Sequence, residues 1–462
     1  MNGVMFGLGV YVAAQLAIGV WVARRIKDED DYLVAGRRLG LPLATMTVFA
    51  TWFGAETCLG AAGRVYEGGL AGGSAEPFGY ALCLVFMALA FSMTLWRRQY
   101  TTVADLFRNR FGADVEKLVV ALMVPTSLFW AAAQIRGFGQ VLTIAGVPDL
   151  EIAIVFATAV VIFYTSFGGL MADAVTDFVQ GIALIVGLVV LAVAVFSAPG
   201  VELASVPAER LDFGAAAGSR WEIAELWAIP ILGSVLAQEL VSRTLAARSA
   251  HTARDATLLG ATIYLSIGLI PVALGLVGPQ LLPDLVHGDQ VLPALAERYL
   301  SPFMFVVFAG ALVSAILSTV DSALLACSAL VSHNLIGRLD PHRSERHKVL
   351  IARGLVVGFG LIAYLMARGS ESVYALVEAA SAFGSAGIIV AASFGLFTRV
   401  GGRWSAWAAL VTGTLVYAIG GEVESLPAPY LLALACSIAA YLIAAPFGRA
   451  PHAHAAAAHA AL

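Results

Sequence analysis

Ala315, Ser318, Thr319 and Ser322 recur at i, i+3, i+4 and i+7 within the apolar run FAGALVSAILSTVDSALLACS, residues 308–328. That spacing puts them on one helical face, with Asp321 flanking it. Hydroxyls in an apolar helix often bond back to their own i−4 carbonyls, so Ser and Thr alone do not make an ion site. Asp321 shifts the balance, because a carboxylate in hydrocarbon needs a partner cation or a proton. A second run, ATWFGAETCLG at 50–60, interrupts another apolar stretch. Gly54, Gly60 and Gly63, with Trp52, Glu56 and Thr57 among them, suit a helix that unwinds in mid-membrane, and unwound carbonyls bind cations. Close helix packing at small residues accounts for the glycines. It does not account for Glu56.

Two further clusters carry polar chemistry. In YTSFGGLMADAVTDFVQ, 164–180, a glycine pair breaks the chain before Asp173, Thr176, Asp177 and Gln180. Asp173 reads as a first-turn residue favoured by the helix dipole, whereas Asp177 lies one turn deeper and needs a buried partner. The other cluster is aromatic and acidic: Glu76 and Tyr80 in GGSAEPFGYAL, Trp130 in SLFWAAAQ, and Gln238 with Glu239 in ILGSVLAQELVSR. Trp and Tyr at span ends are ordinarily interfacial anchors. Trp52 and Trp130, however, fall well inside their spans, and interior aromatics beside carboxylates suit a small organic cation.

These residues must be positioned by membrane helices. The chain has 462 residues, 60% of them hydrophobic and 13% charged, and its mean hydropathy of +0.86 leaves too little charge for a soluble surface. Its net charge of −4 suggests neither nucleic acid nor an acidic-lipid anchor as partner. Cys58, Cys83, Cys327 and Cys436 lie in apolar segments without metal-type spacing and read as small buried hydrophobes. Windows long enough to cross a bilayer recur at 4–23, 41–66, 74–96, 117–145, 150–168, 172–197, 222–244, 256–282, 302–335, 349–367, 373–398, 404–420 and 427–447. Thirteen transmembrane helices place the termini on opposite sides. About 21 of the 27 Lys and Arg then share one side, most of them in RRIK, GRR, WRRQ, RNR, SRTLAAR, GRLDPHRSERHK and TRVGGR. That side is cytoplasmic, giving a multi-pass protein of the plasma or inner membrane with its N-terminus outside and C-terminus inside. The first span has its basic cluster after it rather than before it, opposite to a secretory signal. The closing PHAHAAAAHAAL, with His452, His454 and His459, reads as a disordered tail over 449–462.

With these pieces placed, the chain resembles the sodium:solute symporter family along nearly its whole length. The motifs are DDYLVAGRRLG, ATWFGAETCLGAAGRVYEGGLAG, YTSFGGLMADAVTDFVQ and SAILSTVDSALLA, specific jointly rather than singly. Within that family it resembles the high-affinity choline transporters, through ATW, EPFGYAL, FWAAA, LSTVDSALLACSALVSHNLI and LVYAIGGE. The resemblance implies an all-α polytopic protein with a leucine-transporter (LeuT)-type core of two five-helix inverted repeats. These are expected over 41–197 and 222–398, after an extra helix at 4–23 and before two helices at 404–447, all one transporter domain.

Carried over residue by residue, the resemblance implies a sodium site from the carbonyls of Ala50, Phe53 and Ala315 and the hydroxyls of Ser318 and Thr319. Five hard, neutral oxygens suit Na⁺. Asp177 matches an acid on the cytoplasmic release path and, with Asp321 and Ser322, implies a second cation site. Trp52, Tyr80 and Trp130 fall on aromatic positions that cage an ammonium. Where the choline transporters have a Trp before a Gln, this chain has Ala237 before Gln238, so one wall is open. Glu56, Glu76 and Glu239 remain to add charge or bind a polar group there.

The expected function is therefore Na⁺-coupled import of a small organic solute, choline- or betaine-like, with Na⁺ as co-transported ion and no organic cofactor. An amino acid or a small carboxylate is the alternative solute. A solute sensor that does not transport would be expected to carry a signalling domain, and only about 15 residues follow the last span. An intramembrane enzyme would need a nucleophile, base and orienter set; His287, His333 and the tail histidines lie in loops or at ends rather than beside a deep Ser or Cys.

Overall fold

A computed structural model describes residues 2–24, 26–73, 75–214, 219–340, 342–370, 373–423 and 426–447. The tail over 449–462, with its three histidines, lies outside the described residues. The described chain is mainly helical, and its only extended pairing among the described residues is one isolated bridge between Leu39 and Ala247. Hydrocarbon dictates this, because a helix meets its backbone hydrogen bonds within its own segment.

In chain order the helices are α1 (Asn2–Ala23), α2 (Glu29–Val34), α3 (Leu41–Trp52), α4 (Ala61–Gly68), α5 (Ala75–Arg97), α6 (Val103–Phe111), α7 (Ala113–Ile144), α8 (Leu150–Phe196) and α9 (Arg220–Gly233). They continue as α10 (Gln238–Ala246), α11 (Ala250–Leu281), α12 (Val291–Tyr299), α13 (Pro302–Val331), α14 (Glu345–Gly369), α15 (Val373–Ala382), α16 (Ser385–Phe397), α17 (Arg403–Gly420) and α18 (Pro429–Ala444). Packing is graded from core to rim: 72% of the apolar window of Pro302–Leu339 is buried, against 22% for the first and last spans. Helix α13, packed against α7 and α8, is one of two deeply buried spans with Val373–Phe397, at 78%, while α1 and α18 lie at the rim.

Nine described helices are long and apolar enough to cross a membrane, or ten if the bent pair α9 and α10, which meet at 43°, counts as one span. The expectation of thirteen differs for physical reasons. Residues 41–66 are split after Trp52, so neither half is long enough alone. The segments 150–168 and 172–197 join in a continuous assignment of 47 residues broken at Gly169, whose φ of 60° and ψ of 172° are not helical. Unbroken, it would extend about 70 Å, more than twice a bilayer core. Helix α17 is present but falls below the apolar threshold of the other spans.

The basic loops gather at one end. Arg37 donates to the carbonyls of Leu245 (3.2 Å), Gln99 (3.1 Å) and Tyr100 (2.8 Å), and Trp96 Nε1 to that of Ala247 at 2.7 Å. Asp105 caps α6 and meets Arg338 at 2.8 Å, while Arg110 reaches the carbonyl of Gly401 at 3.1 Å. At the opposite end Arg210 ties the carbonyls of Val65 and Tyr66 (2.7 and 2.8 Å).

Gly169 is where the path of α8 is set: a β-carbon there would stand 2.7 Å from the ring of Tyr32. Gly169→Ala is expected to destabilise the protein by about 1–3 kcal/mol, the cost of holding a non-glycine residue in a backbone region open essentially only to glycine, before the clash is counted. Scanning fluorimetry in detergent measures it. Gly168→Ala, whose methyl would meet Ala172 at 3.5 Å, should leave the midpoint nearly unchanged.

Candidate ion and solute site

Two interruptions create the site. Helix α3 stops at Trp52; Phe53 takes φ −99° and ψ 76°, and the chain re-enters through a wide turn, Glu56–Gly60, before α4. The second break separates α9 from α10 at 234–237. Gly233 is required there, since a β-carbon would lie 2.2 Å from the carbonyl oxygen of Ser381.

The oxygens expected for sodium converge in part. Thr319 Oγ1 lies 3.1 Å from the carbonyl of Ala315 and 3.5 Å from that of Ala50, joining α13 to the first break. Ser318 turns instead to Asp177, donating to Oδ1 at 2.5 Å. Phe53 occupies the break itself, its ring against Phe49 (5.3 Å between centroids) and Tyr264 (5.5 Å).

Below that group lies an acidic centre that differs from the expectation. Asp177 also accepts from the Thr47 hydroxyl, and Asp321 from the Thr165 hydroxyl. Asp173, expected as a dipole-favoured first-turn residue, is buried and paired with Arg243. The same guanidinium donates to Ser322 and lies 3.9 Å from Asp177. Arg243 was counted with the cytoplasmic loop SRTLAAR, yet it is 1% exposed and supplies the carboxylates with a cation of the protein's own. A buried guanidinium is tolerable only when so paired. The signal in the sequence was an acid-rich α8 facing a hydroxyl-rich α13, which together need one positive charge; which Arg supplies it depends on how α10 folds back.

Trp52, Tyr80 and Trp130 come together. The Trp52 and Trp130 rings are 5.3 Å apart at 50°, and Tyr80 meets Trp130 at 6.2 Å and 62°. Tyr80 OH bonds Ser381 Oγ at 2.6 Å, and Ser234 donates to Ser381 at 2.9 Å, tying α5 and α15 to the second break. Glu56 accepts from Gln134 at 2.6 Å and from Trp130 Nε1 at 3.4 Å. Glu76 accepts from Thr57 at 3.1 Å and from the Tyr264 hydroxyl.

Glu56 and Glu76 do not share a cavity with the open wall, whereas Glu239 does. Glu56, Glu76 and Tyr80 line a narrow space with Tyr374 and Glu378. Trp130, Ala237 and Glu239 line another with Ser234 and Phe383. Gln238 lines neither; its Oε1 accepts from the Val103 amide at 2.9 Å, at the start of α6. Sequence reasoning missed Gln134, Tyr264, Tyr374 and Ser381, ordinary core residues until the helices are assembled.

A model of the sodium:solute symporter family matches residues 32–413. The chain is 27% identical over 449 residues to a human high-affinity choline transporter, covering 91% of this chain and 76% of that one. It is 26% identical to a choline transporter of Caenorhabditis elegans (78% and 68% covered) and 26% identical to an osmoregulated proline transporter of Bacillus subtilis (89% and 87%). Among solved structures it superposes on a substrate-bound, outward-open Na⁺-coupled sialic acid symporter with a TM-score of 0.83 at 19% identity, over 97% of this chain and 98% of that one. A nucleobase-cation-symport-1 transporter in a closed conformation gives 0.63 at 17% identity, over 90% and 94%. The shared architecture is that of leucine-transporter-like proteins.

Arg243→Met leaves buried acids without their cation and is expected to cost about 3–5 kcal/mol, seen as a fall in thermal midpoint. Adding Asp173→Asn should recover part of the loss. Additive losses in the double variant would show that the two residues do not act as a pair.

Proposed function

Because the chain belongs to the sodium:solute symporter family, a family of transporters and not of enzymes, we propose that it imports a small ammonium solute, choline- or betaine-like, together with Na⁺ by alternating access. One observation carries the reading: the interruption that offers the Ala50 carbonyl to Thr319 also holds Trp52 against Trp130. An ion and a solute placed there would each depend on the shape of the same few residues.

In this scheme Ala50, Phe53, Ala315, Ser318 and Thr319 supply the sodium ligands. Trp52, Tyr80 and Trp130 offer π-faces to the cationic head, with Glu56, Glu76 and Glu239 contributing negative potential. Ala237 leaves room on the side of the second cavity. Asp177, Asp321 and Ser322 form the path by which the ion leaves toward the basic end, with Arg243 holding their charge while no ion passes. The two interrupted helices, α3 with α4 and α9 with α10, support two inverted repeats over 41–197 and 222–398, preceded by 4–23 and followed by 404–447. The C-terminal end would face the cytoplasm of a plasma or inner membrane.

A second reading, an amino acid or small carboxylate as solute, is favoured by the proline transporter among the relatives, which matches over most of both chains. Uptake into proteoliposomes of radiolabelled choline, betaine, proline and a small carboxylate, with and without a Na⁺ gradient, separates the readings. Uptake that ignores the gradient for every solute would refute Na⁺ symport.

Each desolvated cation-π contact is worth about 0.5–2 kcal/mol. Trp52→Ala is therefore expected to raise the solute dissociation constant severalfold to tens of fold, and Trp52→Phe less. Equal affinity of Trp52→Ala and wild type would exclude the aromatic role. Thr319→Ala should raise the Na⁺ concentration for half-maximal uptake more than it raises the solute KM. An unchanged Na⁺ dependence would remove Thr319 from the ion site.

A further inference from the structure

A groove of about 350 Å³ opens between α5, α9 and α11, apart from the aromatic cluster. Phe78, Leu82 and Val85 line it from α5, Trp227 from α9 and Leu265 from α11. Its volume falls in the range of small-molecule sites, about 300–1,000 Å³. The mouth faces hydrocarbon, because α5 and α11 are both long and apolar enough to cross a membrane and the exposed Leu82 and Leu265 are followed on the same helical faces by exposed Leu89 and Leu269. Both hydroxyls in the lining are spent on their own helix: Thr262 donates to the carbonyl of Leu258 at 3.0 Å and Ser266 to that of Thr262 at 2.7 Å. The walls from α5 and α11 thus offer no free polar side-chain group, which suits a hydrocarbon chain. Left empty, the groove would forfeit the dispersion contacts of every atom lining it.

Helix α9 adds what a bare chain would not need. Arg220 is exposed at its first position and Trp227 stands seven residues on, so the two share one helical face about 10 Å apart along the axis. Among the described residues the Arg220 guanidinium has no ion pair or hydrogen-bond partner, and the indole N–H of Trp227 has no acceptor. The Trp227 ring is steadied instead by Phe213, 5.8 Å away, which in turn meets Phe78 at 5.1 Å. Trp221, 65% exposed beside Arg220, marks the level of the membrane interface. A free cation at the interface, a free N–H two turns deeper and an apolar groove beside it follow the order of phosphate, ester carbonyl and acyl chain in a phospholipid.

We propose that this groove is a phospholipid site, in which Arg220 pairs with the phosphate, Trp227 donates to an ester carbonyl and one acyl chain lies between α5 and α11. The site goes beyond the symport reading and does not depend on it. The same three helices nevertheless carry solute-side residues. Leu226 and Ile229 of α9 border the space around Glu76 and Tyr80 of α5, and Tyr264 of α11 donates to Glu76. A lipid in the groove braces these helices from the membrane side.

The test is native mass spectrometry of the purified full chain in detergent, titrated with phosphatidylglycerol and, as a control without phosphate, with diacylglycerol carrying the same chains. Wild type is expected to hold phosphatidylglycerol at least severalfold more tightly than diacylglycerol. Arg220→Ala should erase that preference. Thr262→Trp, at an exposed position of the lining, fills the space and should weaken phosphatidylglycerol severalfold; Ser266→Trp, equally exposed, serves the same end if Thr262→Trp does not fold. Added phosphatidylglycerol should also raise the thermal midpoint of wild type more than that of either Trp variant. Equal binding of the two lipids to wild type, or a preference that survives Arg220→Ala, overturns the phosphate contact and with it the proposed site. Phosphatidylglycerol binding that neither Trp variant weakens places the lipid elsewhere and overturns it as well.

Discussion

A helix that stops inside a bilayer must have its loose backbone ends covered by protein, and the rest of the fold follows from meeting that demand at Phe53 and Gly54. The cover comes from α13, whose Thr319 reaches the Ala50 carbonyl, and from α7, whose Gln134 accepts from the Ala55 amide at 2.8 Å. Both helices must approach closely, and small residues let them. A β-carbon at Gly137 would lie 2.5 Å from that of Ala55, and one at Gly187 would lie 2.3 Å from that of Ala311. In lipid, where apolar side chains gain little by leaving their solvent, such close backbone packing and interhelical hydrogen bonds hold helices together. Helix α13 is the most heavily used post because it serves the break on one face and the acids of α8 on another.

The acids of α8 pose the opposite problem, since charge rather than loose backbone must be met. Asp173 and Asp177 share one guanidinium, Arg243, together with hydroxyls from Thr47, Ser318 and Ser322, and Asp321, facing them from α13, accepts from the Thr165 hydroxyl. An unpaired charge at this depth would cost several kcal/mol, so the hydroxyls and the Arg are conditions of the acids' presence. The same set suits the passage of a cation. Several partial partners can be exchanged one at a time, whereas a single closed ion pair would have to break all at once.

Much of this was legible along the chain because membrane helices announce themselves by length and apolarity, and because polar residues in them are rare enough to notice. The interruption at ATWFGAETCLG, the hydroxyl face of α13 and the interior position of Trp52 and Trp130 all follow from spacing. Arg243 and Gln238 did not. Both lie just after the second break, and a change in the direction of α10 decides whether a residue there faces the cytoplasm, the acids or the start of α6. Asp173 was misjudged for the related reason that the strain at Gly169 determines how deep the next turn begins. The separation of Glu56 and Glu76 from Glu239 and the Ala237 wall, in two cavities, depends on the Tyr80, Ser381 and Ser234 chain, which joins residues up to 301 positions apart.

That chain and the aromatic rings together constrain how a solute enters. Cation-π attraction works within about 6 Å of a ring centroid, and a head held between two rings needs them separated by more than the 5.3 Å between Trp52 and Trp130. Seating a head between them therefore requires one ring to move. Trp130 is anchored in mid-helix and by its bond to Glu56, whereas Trp52 is the last helical residue before the break. Trp52, buried beside the break, has a backbone continuous with the carbonyls of Ala50 and Phe53. Displacing the ring to admit a solute moves those oxygens, and fixing them on an ion limits where the ring can go. In the proposed scheme coupling would need no long pathway, because four consecutive residues, Ala50 to Phe53, would belong to both sites.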